Sequence, residues 1–279
     1  MKIALCQLRV EAEKEKNLAK ARQMLVRAAG HGAELAVLPE MFTCPYQHEN
    51  FPVFAEAEGE ETTTLLSRAA GEEGIWVVGG SFPERVGEKI FNTCFVYNPQ
   101  GERVARHRKL HLFDFELPGG VSVKESATLT AGEELTLVDT GACRLGIGIC
   151  YDLRFPEYTR LLSLGGAELA VIPAAFSRVT GPAHWEILLR TRAVDNQVFM
   201  AGVSSAPNPS LSYLAHGHSM LVDPWGKIIN ALGEEEEILL VEMDLKRLPQ
   251  VRDKLPLLAH RRTDLYQVTG CGPWRKHKG

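Results

Sequence analysis

The chain has 279 residues, 45% of them hydrophobic and 24% charged, with a net charge of −4. That is ordinary globular composition, enough for one large domain or two small ones. An acidic balance gives no electrostatic reason to bind nucleic acid or an anionic membrane. No apolar run reaches the roughly 18–20 residues that span a bilayer.

Met1 to Gln7 reads as a first core strand, not a signal peptide, because its short apolar stretch breaks at Gln7. The six cysteines, Cys6, Cys44, Cys94, Cys143, Cys150 and Cys271, are scattered without a CxxC pair. This argues against a zinc ribbon or a disulfide framework and fits a reduced, cytoplasmic setting.

Leu18, Ala21, Leu25 and Ala28 recur at helical spacing and predict a helix from about Asn17 to Ala29. It leads into Gly32-Ala33-Glu34-Leu35-Ala36-Val37-Leu38-Pro39, an apolar strand that ends at Glu40. Ile75 to Gly80 predicts another strand, and Phe95 to Val104 a hairpin turning at Pro99 and Gly101. The next segment, Arg106 to Phe113, is too charged for a core strand, and Arg106 and Arg108 read as a solvated loop. Lys109 differs, because it opens a run of large apolar residues. A lysine held against apolar walls aims a fixed positive charge at a developing oxyanion. His107 and His111 have no partner at metal-ligand spacing, so no metal is expected. Glu125, in Gly119 to Ser126, either pairs with a neighbour such as Lys124 or serves a site.

Leu145-Gly146-Ile147-Gly148-Ile149 reads as a buried strand that stops at Cys150 and turns sharply into a helix covering about Glu157 to Leu164. Free cysteine is often simply buried. At such an elbow, however, a thiol is placed to act as a nucleophile, and the following N–H groups can hold negative charge.

The chain also repeats itself. Gly32 to Pro39 returns as Gly166 to Pro173, Ile75 to Gly80 as Val198 to Val203, and Phe95 to Val104 as Met220 to Ile229. Helical crossovers imply parallel neighbours and hairpins imply antiparallel edges, so two mixed sheets are expected. Packed face to face with helices outside, they make an α/β fold: a four-layer α-β-β-α sandwich of pseudo-symmetric halves. No Ser-rich or low-complexity linker interrupts residues 1–279, which are expected to form a single domain. The last ten or so residues, with the basic cluster Arg275-Lys276-His277-Lys278, read as a solvated tail. The repeat is broken at one point of interest: Pro39 is followed by Glu40, whereas Pro173 is followed by Ala174.

Three segments carry a resemblance. Leu38-Pro39-Glu40-Met41-Phe42, Arg108-Lys109-Leu110-His111-Leu112 and Gly148-Ile149-Cys150-Tyr151-Asp152-Leu153-Arg154-Phe155 resemble, in order and spacing, the motifs of the nitrilase superfamily of carbon–nitrogen hydrolases. The likeness runs from Met1 to about Tyr266. His111 to Phe115, Glu125 to Leu129, Thr180 to Glu186 and Arg192 to Gln197 are similar to its omega-amidase branch. One departure is Thr43-Cys44-Pro45-Tyr46, where the family often has a small Gly- or Ser-containing loop; Cys44 is read as structural.

The resemblance implies Cys150 as nucleophile, Glu40 as its base, Lys109 as the fixed charge and Glu125 in support. Lys109 and the Tyr151 N–H would hold the oxyanion. No cofactor is implied, because a thioester intermediate takes the place of metal activation. A homodimer or higher homo-oligomer is implied, as is a small 2-oxo dicarboxylic monoamide substrate such as 2-oxoglutaramate or 2-oxosuccinamate. Its carboxylate needs a cation, for which Arg154 and Arg178 are candidates, although Asp152 and Glu157 offer Arg154 internal partners. His184 and Trp185 either wall the pocket or pack the following helix. The rival readings are an amidase for N-carbamoyl amino acids or other small amides, a nitrile hydrolase, and a catalytically silent binding protein on the same fold.

Overall fold

A computed structural model describes residues 1–116, 122–270 and 274–278. Cys271 and Gly119 to Val121 lie outside the described residues. The first half runs β1 (Lys2–Gln7), α1 (Lys14–Gly30), β2 (Leu35–Val37), α2 (Phe51–Phe54), α3 (Glu61–Glu73), β3 (Trp76–Val78), β4 (Phe82–Val86), β5 (Lys89–Tyr97) and β6 (Arg103–Arg108). A two-stranded ribbon, β7 (Asp114–Glu116) and β8 (Ser122–Lys124), leads to Glu125. The second half runs β9 (Leu135–Asp139), β10 (Arg144–Ile147), α4 (Pro156–Leu164), β11 (Leu169–Ala174), α5 (Gly181–Asn196), β12 (Phe199–Ser204), β13 (Met220–Val222) and β14 (Ile228–Ala231). The remaining elements are β15 (Glu237–Glu242), α6 (Arg247–Lys254) and β16 (Trp274–Lys278).

One sheet has the order β15-β1-β2-β3-β5-β4, with β6 also on β5; the other is β14-β13-β12-β11-β10-β9-β16. β1, β2 and β3 are parallel, as are β10, β11 and β12, and each trio is extended by antiparallel strands. The expected pair of mixed sheets is therefore present.

Alternation explains why the strands are apolar on both faces. Ile3, Leu5, Leu35 and Val37 pack in the core that holds Leu145, Ile147 and Val171 of the other sheet. Ala4, Cys6, Ala36 and Leu38 join Leu18, Leu25 and Leu66 of α1 and α3. A strand covered on both faces reads as a continuous apolar run.

The repeat did not disclose where the chain changes sheets. β9 follows the first hairpin but pairs with β10 of the second sheet, and β15 follows the second hairpin but pairs with β1 of the first. After each hairpin the chain thus crosses to the other sheet.

Two expectations are corrected. Arg103–Arg108 is a strand paired with β5, not a solvated loop. Its charge is tolerated because Arg108 sets Nε and an NH₂ on the buried Glu84 carboxylate, at 2.7 and 3.0 Å, and lies 3.9 Å over the Phe91 ring. The basic tail is not free either: the Trp274–Lys278 backbone pairs in parallel with β9.

No helix among the described residues is long and apolar enough to cross a membrane.

Candidate active site

The parallel strands of both sheets deliver their carboxyl ends to one place, where open α/β sheets present their chemistry. β2 ends in Leu38-Pro39-Glu40 and β11 ends at Ala174, its counterpart in the repeat. The two ends touch: the Glu40 N–H donates to the Ala174 carbonyl at 3.3 Å, and the Ala175 N–H donates to Glu40 Oε2 at 2.8 Å. The residue that breaks the repeat is therefore held by its own symmetry mate.

β10 stops at Ile147, and residues Cys150–Arg154 form a short 3-10 helix before α4, in place of a direct entry into the helix. Cys150 has φ of 42°, a left-handed conformation that a side chain adopts at a cost. Gly148 makes room for the turn, since a Cβ there would sit 2.8 Å from the Tyr158 ring. The Tyr151 N–H belongs to the first turn of this helix, where donors lack an internal acceptor.

Asp152 braces the elbow. Its buried carboxylate accepts the Ile149 N–H at 2.9 Å, the His111 N–H at 3.0 Å and the His111 ring at 2.7 Å, with His107 at 3.4 Å. Burial alone would raise this carboxyl, but the hydrogen bonds from His107, His111 and Ile149 outweigh it and hold the group well below the usual range. Both histidines therefore serve Asp152, and no group of residues able to hold a metal occurs among the described residues. Through His111 the brace also ties the thiol's turn to the segment carrying Lys109.

Lys109 is fully buried. Its Nζ lies 2.8 Å from Glu40 Oε1 and 2.9 Å from Glu125 Oε2. Burial pushes against its charge, but the Glu125 and Glu40 carboxylates outweigh that and raise its pKa well above the ordinary lysine value. Glu125 is also fully buried and does not pair with Lys124. It accepts the Tyr46 hydroxyl at 2.7 Å and the Phe113 N–H at 2.6 Å. Burial raises its pKa against the pull of Lys109. Glu40 Oε1 takes a further donor, Asn92 Nδ2, at 2.8 Å.

The Cys150 thiol, 7% exposed, belongs to this cluster. Burial raises its pKa well above the ordinary thiol value; the Glu40 charge and the thiol's hydrogen bond to Glu40 add to this, and Lys109 opposes it. The thiol is thus held toward its protonated form, with the Glu40 carboxylate as its hydrogen-bond partner.

A hollow of about 250 Å³ lies beside the cluster, walled by Phe113, Phe115, Val123, Arg178 and Tyr213 among others. Tyr213 donates to the Ala175 carbonyl at 2.7 Å, and the Phe113 and Tyr151 rings are 5.0 Å apart, so its walls reach the neighbours of Glu40 and Cys150. A small recess of about 20 Å³ beside Glu40 includes Cys44 and Tyr46. Burial raises the Cys44 thiol to about 12, so it stays protonated there. Another hollow, over Phe91, Arg106 and Arg108, contains none of these groups.

The four substrate-binding candidates separate. Arg154 pairs with neither Asp152 nor Glu157; its guanidinium bonds His184 Nδ1 at 3.0 Å and Thr180 Oγ1 at 3.1 Å and lies 4.8 Å over Phe176. Arg178 walls the larger hollow and reaches Glu234 at 3.3 Å. His184 is exposed and meets Arg154. Trp185 is a core residue, not a wall: it is fully buried, its indole N–H donates to the His218 carbonyl at 2.7 Å, and its ring covers Gly202. Sequence reasoning passed over Asn92, Tyr46 and Tyr213 as site residues. Tyr46 stood in a loop already noted near the pocket, but Asn92 and Tyr213 gave no signal in the chain.

Comparison with known proteins identifies relatives of the whole chain. Omega-amidase NIT2 of Mus musculus is 45% identical over 272 residues, covering 98% of this chain and 99% of its own. The crystal structure of Saccharomyces cerevisiae Nit3, a member of branch 10 of the nitrilase superfamily, superposes with a TM-score of 0.86 at 39% identity, covering 94% of this chain and 96% of that one. A glutamate-to-glutamine mutant of the amidase from Nesterenkonia sp. AN1, whose structure shows Michael addition of acrylamide at the active-site cysteine, has a TM-score of 0.75 at 26% identity, over 92% of this chain and 98% of its own. A carbon–nitrogen hydrolase family model matches residues 2–253, which include Glu40, Lys109, Glu125 and Cys150, and the chain belongs to that family.

Proposed function

We propose that this hydrolase is an omega-amidase, acting on 2-oxoglutaramate and 2-oxosuccinamate through a thioester on Cys150. The observation that carries the reading is the convergence of a buried thiol, two buried carboxylates and one buried ammonium, with Lys109 Nζ within 2.9 Å of both Glu40 and Glu125. The identity to omega-amidases over nearly the whole chain supports the choice of substrate.

In the cycle, Glu40 takes the thiol proton as sulfur attacks the amide carbon. The carbonyl oxygen becomes an oxyanion held by Lys109 and the Tyr151 N–H. One such donor is typically worth about 2.7–4 kcal/mol in an acyl-transfer transition state. Glu40 returns the proton to nitrogen, the C–N bond breaks and ammonia leaves. Water then gives a proton to Glu40 and its oxygen attacks the thioester. The C–S bond breaks, sulfur recovers the proton, and the 2-oxo acid departs. Lys109 remains a cation throughout because two carboxylates raise its pKa. Glu125 orients Lys109 and the substrate amide. Arg154 is our candidate for the substrate carboxylate: its guanidinium is held in place by Thr180 and His184, with no acidic partner among the described residues.

The test is ammonia release from 2-oxoglutaramate beside an N-carbamoyl amino acid, with Cys150→Ala as control. Release from the oxo-amide, lost in the variant, is expected. Turnover of only the carbamoyl compound would replace the substrate assignment. A wild-type protein that turns over neither and forms no adduct on Cys150 would leave a silent binding protein.

A further inference from the structure

Asn92, in β5, is 1% exposed and takes no part in the proposed cycle. It touches two of the groups that do. Its side-chain Nδ2 donates to Glu40 Oε1 at 2.8 Å, and its main-chain carbonyl accepts the Lys109 N–H at 2.9 Å. The same Glu40 oxygen receives Lys109 Nζ. One residue of one strand therefore sets the base, through its side chain, and the lysine, through its backbone.

Its packing argues against a purely structural role. Asn92 Oδ1 is buried with no hydrogen-bond partner among the described residues. A leftover buried acceptor is a cost to folding, and asparagine is depleted from strands, where a β-branched residue fits better. Such local violations concentrate at functional sites. The next residue extends the framework: the Thr93 hydroxyl donates to Glu84, the carboxylate that also holds Arg108 beside Lys109.

We infer that Asn92 is a positioning residue that stops the Glu40 carboxylate from rotating away from the Cys150 thiol and keeps it in register with Lys109. The inference rests on the proposed role of Glu40 as base. Glu40 Oε2 is fixed by the Ala175 N–H, and Oε1 is fixed by Lys109 and Asn92. Without the amide, one oxygen depends wholly on a lysine that Glu125 also draws.

The test follows carbamidomethylation of Cys150 by iodoacetamide, mapped by peptide mass, in wild type, Asn92→Ala and Asn92→Ser. This readout does not depend on knowing the substrate. Both variants should melt within a few degrees of wild type and alkylate Cys150 more slowly, by about 10²-fold if the base is displaced by an ångström. With 2-oxoglutaramate, kcat should fall with KM little changed, a split that a merely loosened fold does not produce. Asn92→Leu, near-isosteric but with neither the donor nor a new charge, should be slow as well, and serves if the smaller residues fail to fold. Folded variants that alkylate at the wild-type rate would overturn the inference alone. A wild-type Cys150 that does not react would overturn the role of Glu40 and the inference with it.

Discussion

Replacing Lys109 with methionine tests the electrostatic design of the site. The ammonium is fully buried, 2.8 Å from Glu40 and 2.9 Å from Glu125. At an effective dielectric of about 20, each contact is worth about 6 kcal/mol of Coulomb energy before desolvation. Desolvation of the lysine cancels much of that, and removing one partner from a buried pair typically costs about 3–5 kcal/mol. For a chain this long the loss lowers Tm by roughly 5–9 °C. Two carboxylates would then face each other without a counter-charge, and Glu125, already raised by burial, would rise further. The folded variant would hold a proton that the unfolded chain releases, so stability falls as pH rises above the ordinary carboxylate range. Urea denaturation of Lys109→Met should therefore show a larger deficit at pH 8 than at pH 5. Adding Glu125→Gln should recover part of the deficit, giving a non-additive cycle. A deficit that is independent of pH and additive with Glu125→Gln would refute the reasoning.

Two further outcomes concern the supports of the site. Asp152→Asn should cost about 3 kcal/mol at pH 7, because each carboxylate oxygen faces one backbone N–H and one histidine, and an NH₂ in place of either oxygen sets donor against donor. Since the folded carboxyl lies well below its ordinary value, the charge stabilises at every pH above the unfolded value and is lost only in stronger acid. The gap between variant and wild type should stay constant from pH 7 to pH 5 in urea melts; a gap that closes by pH 5 would mean the charge is not its source. Gly80 has φ of 59°, and a Cβ there would lie 2.1 Å from the Pro39 carbonyl oxygen. Gly80→Ala should displace Pro39-Glu40, costing about 1–3 kcal/mol by thermal melting and about 10²-fold in kcat; an unchanged kcat would show that this contact does not position the base.

Much of the site was legible in the chain because strand ends are written locally. The apolar runs before Glu40 and Cys150 end where the sheet ends, and the broken repeat singled out Glu40 over Ala174. Lys109 stood out as a cation opening an apolar run, and burial between two carboxylates is the reason. Glu125 was ambiguous, because its partner Lys109 is 16 residues away and Lys124 is adjacent. Only the tertiary structure decided that Arg106 and Arg108 sit in a strand, since their counter-charge, Glu84, comes from another one. It alone assigned Trp185 to the core and gave Asp152 and Asn92 their partners. Periodicity reports which face of an element is buried, so the elements and the ends that carry Glu40 and Cys150 followed from sequence. Hydrogen bonds between strands distant in the chain depend on register and on the crossing of the chain between the sheets before β9 and β15, and no local pattern encodes either.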